Sequence, residues 1–108
     1  MLQFDDDRIK SKACDSLAML VHKNEEVNRT VGQHSVSTIK QLLMSNQNMS
    51  VIQSALYLLS ELSVQRDNLT AINATNIQGD ALSRFANARE VSIQHYRNIV
   101  EARLKERF

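Results

Sequence analysis

The 108-residue sequence contains no proline and only two glycines, Gly32 and Gly79. Because these residues mark most turns and strand ends, their scarcity favours a helical chain with few tight turns. Cys14 is the single cysteine, so an internal disulfide is excluded. No apolar run approaches the roughly 20 residues of a membrane-spanning helix, and no association with a membrane is expected.

The chain also lacks an excess of charge of either sign, since 13 Lys and Arg residues oppose 12 Asp and Glu residues for a formal net charge of +1. This balance predicts no bulk attraction to nucleic acid or to anionic membranes. The first seven residues, MLQFDDD, are acidic and contain no apolar core run, so they do not resemble a signal peptide. We therefore expect a cytoplasmic protein, with the nucleus as a second possibility.

The side chains that commonly form active sites are few and scattered. His22, His34 and His95 have no carboxylate or cysteine at metal-ligand spacing. Cys14 lies beside an apolar stripe, where cysteine behaves as a small buried hydrophobe, and no base stands near to activate it. The two glycines are far apart and form no phosphate-binding loop. The sequence therefore predicts a non-enzymatic protein without a metal or cofactor.

Apolar residues recur every three or four positions along the chain, which is the period of α-helices. Asp5 to Asp7 are suited to open the first helix as its cap and first-turn acids. Asn24 to Val31 predicts a short helix stopped by Gly32, and Ser35 is the expected cap of the next one. The apolar stripe of the first helix consists of Ile9, Ala13, Leu17, Leu20 and Val21.

The second half of the chain continues this pattern after a polar break at Asn46 to Asn48. A helix beginning at Met49 or Ser50 is apolar almost all round, so it should form the buried centre. A short helix is predicted from Arg66 to Asn73, and the last helix runs from about Glu90 to the end. The apolar stripe of that last helix consists of Ile93, Tyr96, Val100, Leu104 and Phe108.

The helical pattern repeats with a shift of about 42 residues, within the range of helical repeat arrays. The shift places three apolar residues of the first helix on three of the central helix: Ala13 on Ala55, Leu17 on Leu59 and Leu20 on Leu62. A slightly smaller shift places Val31 on Ile72. The sequence therefore predicts two offset copies of one helical unit.

The chain resembles the armadillo-repeat family, whose unit is a short first helix followed by two longer helices. The best copy is carried by Asn28, Val31, Ser35, Val36, Ile39, Leu42, Leu43, Ala55, Leu59 and Leu62. A less faithful copy contains Asn68, Ile72, Asn76, Ile77, Ala81, Phe85 and Ile93. Ser35 and Asn76, each an expected helix cap, replace the glycine usual before the second helix. Another HEAT-like repeat and a plain helical bundle are the alternatives.

The resemblance implies an all-α, right-handed α-solenoid fragment of about two armadillo-type repeats with a C-terminal capping helix. In this single domain, 1–6 is an N-terminal extension and 7–23 is the final helix of an incomplete first repeat. A complete repeat follows at 24–65, and 66–108 is a degenerate repeat that caps the stack. Because repeats bury their apolar faces only against neighbours, the N-terminal end should be covered by Leu2 and Phe4, a second copy or a partner.

The resemblance also implies a concave groove lined by the final helix of each repeat. The matching positions are Asp15 and Met19 in the first helix and Tyr57 and Glu61 in the central helix. Residues at i and i+4 lie on one helix face, so each pair can project into the groove together. The carboxylates make the groove acidic. The resemblance thus implies a protein-binding adaptor or scaffold whose partner is a protein or peptide that carries Lys or Arg or presents backbone N–H groups to the carboxylates.

Four basic residues of the last helix are a second candidate surface: Arg97, Arg103, Lys105 and Arg107. Glu90, Glu101 and Glu106 are interleaved with them, which favours a solvated helix face over contacts with phosphates. No nucleic-acid partner is therefore expected. The alternative function is that of a structural subunit or solenoid terminus within a larger assembly. Such a protein would associate through its exposed ends, including with copies of itself.

Overall fold

All regular secondary structure in the described part of the chain is helical. The computed structural model describes residues 7–45, 48–85 and 87–107. The helices are α1 (Asp7–Val21), α2 (Glu25–Ser45), α3 (Met49–Leu62), α4 (Arg66–Ala74), α5 (Ile77–Asp80) and α6 (Val91–Arg107), with a 3₁₀ turn at Leu82–Phe85. The all-α prediction is therefore confirmed for these residues. The predictions at Leu2, Phe4, Asp5, Asp6, Asn46 and Phe108 lie outside the described residues.

Helix α3 begins at Met49, as predicted, because Asn48 caps it. The Oδ1 atom of Asn48 accepts hydrogen bonds from the backbone N–H groups of Ser50 at 2.9 Å and Val51 at 3.4 Å. Buried residues lie on several sides of this helix, including Ala55, Leu56, Leu58, Leu59 and Leu62. The prediction that this helix forms the buried centre is confirmed.

The two helices predicted on either side of Gly32 are one continuous helix, α2. The predicted stop at Gly32 and the predicted cap at Ser35 are therefore wrong. Gly32 does not adopt the left-handed conformation that ends many helices. The cap of α2 is instead Asn24, whose Oδ1 accepts from the N–H of Val27 at 3.2 Å. The separate short first helix of an armadillo unit is absent from this segment.

Gly32 is required for close packing between helices instead of for a turn. A Cβ atom on Gly32 would lie 2.1 Å from Oδ1 of Asn68. Asn68 is fully buried, and its Nδ2 donates to the carbonyl oxygen of Leu62 at 2.9 Å. The same Nδ2 reaches the carbonyl oxygen of Asn28 at 3.1 Å and its Oδ1 at 2.7 Å. Glycine at position 32 therefore leaves the space in which the asparagine of α4 docks on α2.

The buried face of α1 differs from the predicted stripe. Three residues of α1 are fully buried in the core: Cys14, Ala18 and Val21. Ile9 is 42% exposed and Leu20 is 58% exposed, while Ala13 and Leu17 are half-buried. The stripe is therefore wrong for Ile9 and Leu20. Helix α1 packs mainly on α3, and it does so with its smaller residues, which leaves larger aliphatic side chains uncovered.

Helices α1, α3 and α6 lie side by side and run parallel in one layer. Parallel direction follows because polar contacts join these helices start to start and end to end. The start contacts are Ser11 with Ser54 and Gln53 with Ser92, and the end contacts are His22 with Glu61 and Ser60 with Arg103.

The second layer consists of α2 followed by the segment from α4 to the 3₁₀ turn. Asn28 and Asn68 bond near the starts of α2 and α4. Arg84, in the 3₁₀ turn, donates to the carbonyl oxygen of Met44 at 2.7 Å, near the end of α2. The segment 66–85 therefore follows the path of α2. Helix α2 is antiparallel to α3, because Asn28 near its start donates to the carbonyl oxygen of Glu61 near the end of α3.

The segment 66–85 differs from α2 in one respect. It is interrupted between α4 and α5, whereas α2 has no interruption. Asn76 precedes α5 as predicted, but its side chain makes no capping hydrogen bond. It acts through its backbone, which is left-handed at φ 55° and ψ 33°. Asparagine tolerates this conformation better than most residues. The hydroxyl of Thr75 donates to the carbonyl oxygen of Ile72 at 2.8 Å and closes the end of α4.

Candidate functional site

A pair of tyrosines connects α3 and α6, two neighbouring helices of the parallel layer. The ring centroids of Tyr57 and Tyr96 are 5.2 Å apart, with 36° between the ring planes. His95 lies edge-on to Tyr96, with 5.4 Å between the ring centroids. Both tyrosines are half-buried. They therefore combine rigid packing with accessible ring surface and hydroxyl groups.

Two carboxylates act on Tyr57. Burial is the main reason that the pKa of Tyr57 is raised above its ordinary value. Glu61, then Tyr96 and then Asp15 raise this pKa further. Glu61 lies four residues after Tyr57 on α3 and so shares its helix face, and Asp15 lies on α1, which packs on α3. Tyr57 therefore stays neutral at physiological pH and keeps its hydroxyl proton available for donation.

Glu61 is paired with a histidine from the end of α1. The Nδ1 atom of His22 is 2.6 Å from Oε2 of Glu61, and this contact fixes the carboxylate beside Tyr57. The side chain of His22 is 56% exposed, whereas that of Glu61 is 18% exposed. The sequence did not indicate His22, because it lies just beyond α1 and only the packing of α1 on α3 brings it to Glu61.

The predicted groove residues lie on two neighbouring helices: Tyr57 and Glu61 are one turn apart on α3, and Asp15 lies on α1, which packs on α3. Met19 follows Asp15 by one turn on α1 and is 72% exposed. Tyr96 joins them, although the sequence placed it only on the apolar stripe of the last helix. The repeat shift gives no signal for Tyr96, since it places Ile99 opposite Tyr57. We call the surface that carries Asp15, Met19, Tyr57, Glu61 and Tyr96 the groove, after the concave groove that the armadillo resemblance implies at the first four of these positions.

Two of the four predicted basic-face residues are engaged within the molecule. Arg97 donates from Nε to the carbonyl oxygen of Leu82 at 3.1 Å, and this bond holds α6 to the 3₁₀ turn. Arg103 donates to the carbonyl oxygen of Ser60 and holds α6 to α3. These arginines are therefore not free to bind a partner together. Of the other two predicted residues, Lys105 is exposed, and the side chain of Arg107 lies outside the described part of the structure.

Cys14 does not have the properties of a nucleophile. Burial, followed by the nearby charge of Asp15, raises the pKa of the Cys14 thiol to about 11. Because the thiolate is the reactive form, this thiol is protonated and unreactive at neutral pH. Cys14 is also fully buried, so its predicted place as a small residue of the core is confirmed.

No family model matches this chain, and comparisons with curated proteins and with solved structures found no significant match. Membership of the armadillo family therefore stays a prediction. Within residues 7–45, 48–85 and 87–107, no three His, Cys, Asp or Glu side chains converge as metal ligands would. Nor do these ranges contain a helix with the length and apolar character to cross a membrane.

Proposed function

We propose that the chain is a fragment of an α-solenoid with about two stacked units. The support is a set of side-chain hydrogen bonds between residues 39 to 43 positions apart, in both layers. Contacts at one nearly constant separation arise when successive units lie side by side. The continuous α2 gives the first unit a two-helix, HEAT-like form, whereas the segment from α4 to α6 contains three α-helices and a 3₁₀ turn.

We propose further that the protein is a non-enzymatic interaction module that binds a partner protein through the groove. The observation that carries this proposal is the Tyr57–Tyr96 pair, with Glu61 one turn from Tyr57 on α3 and Asp15 on the neighbouring α1. Aromatic ring faces attract lysine and arginine side chains, and carboxylates pair with the same cations. The expected partner is therefore a protein segment that presents basic side chains, for which the chain would serve as an adaptor or scaffold.

The net charge of the chain cannot by itself explain binding of a basic peptide. The whole chain carries a formal charge of +1, so long-range attraction to a basic peptide is absent. Binding of such a peptide must come from locally placed acidic and aromatic groups. A charge reversal in the groove should then matter far more than the same reversal elsewhere on the surface.

The test is titration of the full chain into a fluorescently labelled peptide of alternating lysine, arginine and serine residues. A peptide with glutamate in place of the basic residues serves as the negative probe. The variants are Tyr57→Ala, Glu61→Lys and a matched control, Glu106→Lys, which reverses the charge of an exposed carboxylate on α6 outside the groove. Circular dichroism checks that all variants keep the helical content of the wild type.

We expect saturable binding of the basic peptide and none of the acidic one. Glu61→Lys and Tyr57→Ala should each weaken binding by at least about tenfold, because each removes a contact to the bound cation. Glu106→Lys should bind like the wild type. If Glu61→Lys and Glu106→Lys weaken binding equally, charge alone is responsible and the groove is not the site. Failure of the basic peptide to bind would exclude the proposal for basic segments.

The alternative proposal, a structural subunit of a larger assembly, is supported by the apolar side chains left uncovered on α1. Leu20 and Ile9 are the exposed large aliphatic residues of that helix. In this case the variants Tyr57→Ala and Glu61→Lys would not affect assembly, whereas charged substitutions at Ile9 or Leu20 would. The two proposals are therefore separated by which of these two surfaces tolerates a charge.

A further inference from the structure

A cavity of about 660 Å³ opens between the first halves of α1 and α3. Its lining includes Ser11 and Ser54, and the hydroxyl of Ser54 donates to that of Ser11 at 3.3 Å. Ser54 is 6% exposed, so a polar side chain that is nearly buried forms part of the wall. The volume lies within the range of sites that hold small ligands.

Small side chains leave this cavity open. The repeat shift of about 42 residues places Gln53 on Ser11 and Tyr96 on Ser54. Between α3 and α6, the larger Gln53 bonds to α6 and Tyr96 packs on α3. The same positions between α1 and α3 hold the two serines, so the space between these helices is not filled. The cavity therefore distinguishes the first helix pair from the second.

The cavity continues the groove toward the starts of both helices. On α1, Arg8 and Lys12 line the cavity and precede Asp15 by seven and three residues, which places all three on one helix face. Asp15 belongs to the groove and also lines the cavity. On α3, Gln53 of the cavity precedes Tyr57 of the groove by four residues, again on one face. A segment that lies along the groove can therefore reach the cavity.

The charge changes sign along this continuous surface. Among the described residues, the lining of the cavity contains two cations, Arg8 and Lys12, and one carboxylate, Asp15. The groove contains the carboxylates of Asp15 and Glu61 and no lysine or arginine. A ligand that covers both parts must therefore carry a cation for the groove and an anion for the cavity.

Uncharged hydrogen-bond donors accompany the two cations of the cavity. Ser50 is exposed there and offers a hydroxyl group. Gln53 accepts a hydrogen bond from Ser92 through its Oε1 atom at 2.9 Å, so its Nε2 group remains as a donor. Cations and such donors together bind the oxygens of phosphate groups, and arginine can do so through two parallel bonds. The lining of the cavity therefore suits a phosphate group.

We propose that the cavity binds a phosphorylated serine or threonine side chain of the partner segment whose basic residues bind the groove. This inference rests on the proposed function and specifies its partner. A phosphate carries nearly two negative charges and three acceptor oxygens, so it engages two cations and several donors better than a carboxylate does. Arg8 and Asp15 are seven residues apart, which is about 10 Å along a helix. An extended segment covers this distance in about three residues, the expected spacing between its phosphate and its cation.

A nucleic acid fits this surface less well than a phosphorylated protein segment does. Phosphates follow one another along a nucleic-acid strand, so those beyond the cavity would meet the carboxylates of Asp15 and Glu61. The chain as a whole has a formal charge of only +1, which gives no long-range attraction to a polyanion. A segment with one phosphate and neighbouring basic residues matches both signs of charge on the surface.

The test titrates the full chain into the labelled peptide of alternating lysine, arginine and serine residues in three forms. The central serine is unmodified, phosphorylated or replaced by glutamate, and basic residues stand on both sides of it. A single-stranded oligonucleotide is the fourth probe. Lys12→Glu reverses a charge at the cavity, and the matched control is Lys105→Glu, which makes the same change at an exposed lysine of α6. Circular dichroism verifies that both variants keep the helical content of the wild type.

We expect the phosphorylated peptide to bind at least about tenfold tighter than the unmodified one, because its phosphate adds charge-assisted hydrogen bonds. A surface that responds only to positive charge would give the opposite order, since the phosphate lowers the net charge of the peptide. Glutamate should raise the affinity by less than about threefold. Lys12→Glu should abolish the gain from phosphorylation, and Lys105→Glu should retain it.

Four results would overturn the inference. These are no gain from phosphorylation, an equal gain from glutamate, an equal loss of the gain in both variants, and tighter binding of the oligonucleotide than of the phosphorylated peptide. If the unmodified peptide still binds, the first result leaves the groove proposal intact. Binding of the phosphorylated peptide alone, abolished by Lys12→Glu, would support the phosphate site and contradict the groove. Absence of binding by every probe would contradict both proposals.

Discussion

Two parts of the chain can be compared: the unit of α2 and α3, and the unit of α4 to α6. Each has an asparagine in the first turn of its first helix, but the helices that follow differ. Four residues after Asn28 stands Gly32, and four residues after Asn68 stands Ile72. Helix α2 continues through its glycine, whereas the second segment breaks at the left-handed Asn76. The comparison shows that the glycine inside α2 serves the neighbour that packs on it. The break between α4 and α5 lies where an asparagine, Asn76, adopts positive φ.

The two asparagines also share one task and differ in a second. Nδ2 of Asn28 donates to the carbonyl oxygen of Val21 at 3.4 Å, and Nδ2 of Asn68 donates to that of Leu62 at 2.9 Å. Each satisfies an end carbonyl that a helix leaves without an intrahelical partner. Asn68 alone also reaches back to the side chain of the preceding unit. We infer that Asn68, which packs against Gly32, holds the two units together. We call this contact the lock between the units.

The largest expected effect comes from Asn68→Asp. This change keeps the shape of the side chain but replaces an amide that donates to three oxygens with a carboxylate. A buried charge facing acceptors, without a compensating donor, should cost about 3–5 kcal/mol in the free energy of unfolding. Urea unfolding followed by circular dichroism measures this loss.

Asn28→Asp is the matched comparison for that variant. Asn28 is 4% exposed, whereas Asn68 has no exposed surface. The amide of Asn28 donates to two main-chain oxygens, whereas that of Asn68 donates to three acceptors. We therefore expect a smaller loss of stability for Asn28→Asp. An equal or larger loss than that of Asn68→Asp would show that the second unit is not held by its asparagine more strongly than the first.

A smaller effect is expected from Gly32→Ala. The new Cβ would stand 2.1 Å from Oδ1 of Asn68, so Asn68 must move and weaken its hydrogen bonds. Helix propensity opposes this loss by roughly 1 kcal/mol, and the net destabilisation should be about 2 kcal/mol. Thermal unfolding with known enthalpy, or urea unfolding, measures the difference from wild type.

Gly79→Ala is the control for the glycine comparison. Its Cβ would lie 3.4 Å from the side-chain oxygen of Asn76, which is close to ordinary contact, and Gly79 is exposed. We expect no loss of stability, or a gain of up to about 1 kcal/mol from helix propensity. Similar losses at both glycines would mean that the space beside Gly32 is not special.

The smallest expected effect concerns the two residues with positive φ. Lys23 follows α1 at φ 60°, and Asn76 precedes α5 at φ 55°. Lysine is disfavoured in this conformation whereas asparagine tolerates it, so Lys23→Gly should stabilise the fold by about 0.5–1 kcal/mol. Asn76→Gly should change stability by less than this. A larger gain in stability from Asn76→Gly than from Lys23→Gly would show that Asn76, not Lys23, has the more strained backbone.

The sequence predicts most helices here because their apolar residues follow the helical period independently of their neighbours. This is why the bounds of α4 and α6 agree within about two residues with the predicted ones. The stop at Gly32 was wrong for the opposite reason. A glycine inside a helix can serve a turn or a close neighbour, and the neighbour that decides, Asn68, belongs to the next unit.

The sequence could indicate only those residues of the groove whose arrangement follows from their spacing along a single helix. Tyr57 and Glu61 lie on one helix, so the spacing along α3 is enough to place them on one face. Tyr96 and His22 come from other helices, and the contact of Tyr96 with Tyr57 depends on how α6 packs on α3. The apolar stripe of α1 was misplaced because the side of the helix that becomes buried depends on which helix packs on it.

A double-mutant cycle of Gly32→Ala and Asn68→Ala tests the lock between the units most directly. In the wild-type background Gly32→Ala should cost about 2 kcal/mol, because Asn68 fills the space. In the Asn68→Ala background that space is empty, and Gly32→Ala should be neutral or stabilising, giving a coupling energy of about 2 kcal/mol or more. Costs that add to within about 0.5 kcal/mol would contradict the account, because Gly32 and Asn68 would then act independently.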